Sequence, residues 1–130
     1  MSEFTKHFSA VQNEAHLVNV KNGWWNDRMA IDGMLRNTPE LREVNRRSMI
    51  ISLLGLVDSE VAEAMEAVRK HDEVTWSDSA TKDTLVRELG GAIVRIMDIA
   101  QFLDLPLAAG IEAEIESNKT RGIKHGGKAV

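Results

Sequence analysis

Apolar residues recur along this chain at steps of three and four, and β-branched residues nowhere alternate with polar ones for long enough to write a strand. That periodicity confines the chain to helices joined by loops. The first helix is expected from about His7 to Lys21, with Phe8, Val11, Ala15 and Val18 on one face and Gly23 as its stop. A connector follows from Trp24 to Thr38. Thr38, Pro39 and Glu40 then read as N-cap, first helical position and first-turn acid of a second helix reaching about Lys70. Its apolar stripe is Ile50, Leu54, Val57, Val61, Ala64, Met65 and Val68. The polar stretch from His71 to Ala80, carrying Trp76, reads as a loop. A third helix is expected from about Lys82 to Leu103, with Leu85, Leu89, Ala92, Ile96, Ile99 and Leu103 aligned, and Asp104-Leu105-Pro106 breaks it. A fourth covers about Pro106 to Asn118, and the glycine- and lysine-rich tail from Lys119 to Val130 reads as extended. The expected fold is therefore all-α, a helical bundle of four main helices forming one domain over residues 1–130. Apolar faces left over on such a bundle point to a homo-oligomer.

Composition narrows the function. At 43% hydrophobic and 28% charged residues, the chain has the balance of a soluble globular protein rather than a disordered one. The longest apolar run, Met49 to Val57, contains Ser52 and Gly55 and falls far short of the ~20 residues a membrane span needs. The first residues show no apolar signal-peptide core, and no cysteine is present for a disulfide or thiolate site, so the expected compartment is the cytoplasm. A net charge of −4 speaks against broad nucleic-acid binding. None of the four histidines stands four residues from another, which disfavours a helical zinc pair. The six methionines, set among apolar neighbours, read as core filling.

Three carboxylates break the pattern. Glu60 and Glu63 stand three apart on one face of the second helix, and Glu60 is ringed on the helical wheel by Leu53, Leu56, Val57, Ala64 and Ala67. Glu88 has Leu85, Leu89 and Ala92 close by on the third. Like charges at the edge of an apolar stripe are costly unless protonated or given a cation. Hard oxygen ligands on facing helices suit Mg²⁺, or Mn²⁺, with phosphate oxygens and water completing the shell. The competing reading is a solvated helix surface on which Glu60, Glu63 and Glu66 pair with Arg69 and Lys70.

A wider pattern adds to this. Gly23-Trp24-Trp25-Asn26-Asp27-Arg28, Ser59-Glu60-Val61-Ala62-Glu63-Ala64-Met65-Glu66, Glu88-Leu89 leading to Val94-Arg95-Ile96-Met97-Asp98, and Asn118-Lys119-Thr120-Arg121 with Lys124-His125-Gly126-Gly127-Lys128 follow in that order. In order and spacing the chain resembles the MazG-like branch of the all-α nucleoside triphosphate pyrophosphohydrolases, from about residue 10 to 128. The resemblance implies Mg²⁺-dependent hydrolysis of a (deoxy)nucleoside triphosphate to monophosphate and pyrophosphate, in a homodimer or homotetramer. It makes Glu60, Glu63 and Glu88 metal ligands and Glu63 the residue that orients or deprotonates water. Lys119 and Arg121 become phosphate ligands and Asn118 a sugar or base ligand, although Asn118 also reads as a helix C-cap. Trp24 and Trp25 read as nucleotide-stacking walls or as core anchors, and Trp25 is placed in the substrate pocket. The base is not legible: some phage-type relatives in that family prefer guanine nucleotides, and a narrower dUTPase- or dCTPase-like activity on the same fold is the alternative.

One departure matters. The family's second motif is E-x-x-D, and here the aspartate position is Gly91. Asp98, two turns on and on the same face, is expected to supply a substitute metal ligand. A water in the vacant position is the second possibility. Loss of turnover, leaving a nucleotide-binding or helical interaction module, is the third.

Overall fold

The computed structural model describes residues 1–69 and 78–122, and within them every regular element is a helix, without a strand. The expected residues 70–77, with His71 and Trp76, and 123–130, with the Lys124–Lys128 block, lie outside the described residues. Five helices are present: α1 (Glu3–Lys21), α2 (Asn26–Met34), α3 (Pro39–Arg69), α4 (Ser79–Phe102) and α5 (Leu107–Thr120). The closest packing is α3 against α4; α1 lies on α4, α5 on α1, and α2 on α3.

Three boundaries differ from expectation for identifiable reasons. α1 starts at Glu3 because Ser2 caps it, its hydroxyl accepting from the Thr5 amide at 3.0 Å. The connector after Trp24 contains α2, only nine residues long, whose Met29, Ile31 and Met34 stay exposed. Its Asp32 explains why it forms: Arg42 Nη2 donates to Oδ2 at 2.7 Å, while Arg46 Nε and Nη2 fork onto the two oxygens at 2.7 and 2.9 Å. Those charge-assisted bonds dock α2 on α3. α5 runs through Thr120, so Lys119 and Thr120 are helical, and the C-cap is Arg121 rather than Asn118. Gly23, at φ +85°, makes the left-handed turn out of α1 that a side chain would resist.

The core centres on Trp25, Met49, Leu53 and Ile99, with Val20, Leu56, Val57, Phe102 and Leu103 packed around them. The buried face of α3 is Met49, Leu53, Ala64 and Ala67, which shares only Ala64 with the stripe expected from the sequence, while Val57 of that stripe packs partly buried against the core. Of that stripe, Leu54, Val61, Met65 and Val68 are 43–53% exposed. On α4, Ala92 and Ile99 are buried while Leu89 and Ile96 are not; on α1, Val11 and Val18 are about half exposed and Gln12 is buried. Only Met49 and Met97 among the methionines are core residues. The helices carry more apolar surface than one copy covers, and periodicity alone could not tell which part faces inward.

Candidate metal centre

α3 and α4 bring Glu60, Glu63 and Glu88 together, with one carboxylate oxygen of each within 4.8 Å of the others. Glu60 and Glu88 are half-buried and Glu63 is exposed. A hydrogen bond shared with Glu63, partial burial, and the charges of Glu63 and Glu60 push the Glu88 carboxyl above its ordinary range. The cluster therefore holds a proton more readily than a lone glutamate does. Carboxylates crowded across two helices offer the hard oxygen donor set that Mg²⁺ and Mn²⁺ take, and the donor set fits such an ion.

Glu60 has a second relationship. Its Oε1 accepts from Arg95 Nε at 2.7 Å, so among the described residues its counterion is on α4 and is not Arg69, while Lys70 lies outside the described residues. Glu88, Gly91 and Arg95 stand three and four apart and form one stripe of α4. Glu60 lies over the middle of that stripe, where a Cβ on residue 91 would come 2.8 Å from its Oε2. Gly91 is the floor on which Glu60 rests. The glycine at the aspartate position thus has a local steric reason. Arg95 went unassigned from the sequence, although its spacing of seven from Glu88 was a usable signal. Its guanidinium carbon also lies 5.5 Å from the centroid of the Trp24 ring.

The other sequence-derived site residues fall elsewhere. Asp98 is 8% exposed and is not among the converging carboxylates. His16 Nδ1 lies 2.7 Å from its Oδ1, Asn19 Nδ2 donates to Oδ2 at 2.8 Å, and Trp25 Nε1 donates to both oxygens at 3.0 and 3.2 Å. Its oxygens are engaged with α1 and the α1–α2 turn, which corrects its assignment as a substitute metal ligand. Trp25 is 1% exposed and stacks on Phe102 with centroids 4.3 Å apart. It is a core anchor, with no free face for a base; Trp24, 52% exposed, is the accessible indole. On α5, Lys119 pairs with Glu116 at 3.0 Å and Arg121 with Glu114 at 3.5 Å, and Asn118 is exposed. These three stand together at the end of α5, which packs on α1, while the carboxylates are on α3 and α4.

Comparison of the chain with protein-family models, with curated proteins and with solved structures gave no match.

Proposed function

We propose that the chain hydrolyses (deoxy)nucleoside triphosphates to the monophosphate and pyrophosphate, acting on free nucleotides in the cytoplasm with Mg²⁺ as cofactor. The observation that carries this reading is the convergence of Glu60, Glu63 and Glu88 within 4.8 Å across two helices. The order of motifs read in the sequence names the reaction. A divalent ion bound by these carboxylates supplies Lewis acidity toward phosphate oxygens. Glu63, the exposed member, takes the proton of the attacking water at its carboxylate oxygen. Glu60 and Glu88 hold the cation. Lys119 and Arg121 pair with Glu116 and Glu114 on α5, which makes them auxiliary cations in this reading.

Oligomerisation belongs to the same proposal. Val61, Ala64, Met65, Val68, Leu85 and Leu89, with Arg69, line a groove of about 500 Å³ between α3 and α4. Such an apolar patch on a homodimer or homotetramer is covered by another copy. Among the described residues no helix is long and apolar enough to cross a membrane.

A second reading has its own support. With glycine at 91 and Glu60 already paired to Arg95, the site has one carboxylate fewer and a resident cation. Those features favour a nucleotide-binding module without turnover. A panel of ribo- and deoxynucleoside triphosphates with Mg²⁺ or Mn²⁺ separates the two. Release of monophosphate and pyrophosphate supports the enzyme. Binding without release supports the module, and neither binding nor release overturns both.

A further inference from the structure

We propose that the cleft between Trp24 and Arg95 is the phosphate-receiving end of this site, with Arg95 as its anion-binding residue. The inference rests on the metal reading of Glu60, Glu63 and Glu88 and adds to it the place and the residue that meet the substrate's phosphates. The cleft, about 200 Å³, is lined by Asn19, Trp24, Glu60, Gly91, Val94 and Arg95, so it shares Glu60 with the carboxylate cluster.

Three features of Arg95 suit it to a phosphate. Only its Nε has a hydrogen-bond partner among the described residues, the 2.7 Å bond to Glu60. The two terminal nitrogens therefore keep the donors with which guanidinium forks engage phosphate oxygens. The side chain is 29% exposed, enough to reach a ligand and little enough to be held in one place. Glu60 fixes one edge of the guanidinium and the Trp24 ring, 5.5 Å from its central carbon, lies against it. A cation ordered in this way loses less rotamer entropy on binding than a free lysine. Lys119, by contrast, lines a different cleft, with Ala109, Glu112, Ala113, Ile115 and Glu116, to which Glu60 does not contribute. The chemical class admitted is a phosphate group of a metal-complexed polyphosphate, one end facing the carboxylates and the next group facing Arg95.

The alternative role for Arg95 is that of a plain counterion that positions Glu60. The two roles separate in calorimetric titrations of the full chain, wild type against Arg95→Gln and Arg95→Lys. Mn²⁺ alone is one probe, and the Mg²⁺–tripolyphosphate complex added to Mg²⁺-saturated protein is the other. Arg95→Gln should bind Mn²⁺ at least as tightly as wild type, because a positive neighbour of the cluster is gone. It should bind the tripolyphosphate complex at least ~10-fold more weakly, the loss of a charge-assisted fork. Arg95→Lys should fall between. Undiminished tripolyphosphate binding by Arg95→Gln, with Mn²⁺ binding intact, overturns this assignment and leaves the metal centre standing. Equal weakening of both probes also overturns it, since Arg95 then acts only through Glu60. A wild type that binds no Mn²⁺ overturns the metal centre and this inference together. Should circular dichroism show Arg95→Gln unfolded, Arg95→Lys decides. Charge without the fork predicts ~3-fold weaker tripolyphosphate binding at unchanged Mn²⁺ affinity, and parity with wild type overturns the assignment.

Discussion

The indole Nε1 of Trp25 lies 3.0 Å from Oδ1 and 3.2 Å from Oδ2 of Asp98, joining the turn after α1 to the C-terminal part of α4 inside the core. His16 and Asn19 of α1 meet the same carboxylate. Three side chains from one part of the chain thus converge on a single acceptor, which fixes how α1 and α4 sit against each other.

Asp98→Asn should therefore destabilise the protein by about 2–4 kcal/mol, because an amide places donors against donors and leaves buried groups unsatisfied. Urea denaturation followed by circular dichroism measures this. Divalent-ion affinity of the folded variant should match wild type. Unchanged stability with lost metal binding would return Asp98 to the metal site.

Asp32 carries the pH dependence with the clearest sign. Hydrogen bonds from Arg46 and then Arg42 hold its carboxyl well below the usual carboxylate range, outweighing the opposing effect of burial. A depressed folded-state pKa contributes stability above the unfolded value and loses it as pH falls toward the folded one. Wild-type stability should thus decline on acidification below pH ~4, the ordinary carboxylate value. Asp32→Asn should cost about 2 kcal/mol at neutral pH and flatten that decline. Melting midpoints of both proteins between neutral and strongly acidic pH check it.

How much of this was legible in the sequence depended on whether spacing carried the information. Helix number and type followed from three-and-four periodicity wherever a helix was long, and α2 escaped because its reason to form is an ion pair to residues ten and fourteen positions on. Glu60, Glu63 and Glu88 stood out because charge on an apolar stripe is anomalous within one helix. Asp98 and Trp25 were misassigned because their surroundings come from other helices. A motif position shows neither that His16, Asn19 and Trp25 share one carboxylate nor that one of two adjacent tryptophans is inside. The link between Gly91, Glu60 and Arg95 was equally hidden, since the contact crosses from α3 to α4.

The paired glycines of α4 make a controlled comparison. An added Cβ at Gly90 meets nothing within 4 Å, so Gly90→Ala should stabilise by ~0.5–1 kcal/mol through helix propensity alone. At Gly91 the same methyl comes 2.8 Å from Glu60 Oε2, which must move and strain its bond to Arg95. Gly91→Ala should gain less, or nothing. Equal gains in thermal or urea melts would show that Glu60 does not depend on the glycine.

Crowded carboxylates also predict a metal-dependent melt. Mg²⁺ at ten times its dissociation constant should raise stability by about 1.4 kcal/mol over protein in EDTA. Glu88→Gln, which removes one of the repelling charges, should stabilise the metal-free protein and shrink that rise. A midpoint indifferent to Mg²⁺ and Mn²⁺ in wild type would make the cluster a solvated surface.

The central claim is that Glu63 works with Glu60 and Glu88 at a metal-dependent phosphoanhydride-cleaving site. Its most direct test is pyrophosphate release from a nucleoside triphosphate panel in Mg²⁺, comparing wild type with Glu63→Gln, whose amide keeps the shape and removes the charge. The account predicts release by wild type that EDTA abolishes, and at least ~100-fold less from the variant with its helical content unchanged. Equal rates in the two proteins, or release that survives EDTA, would contradict it.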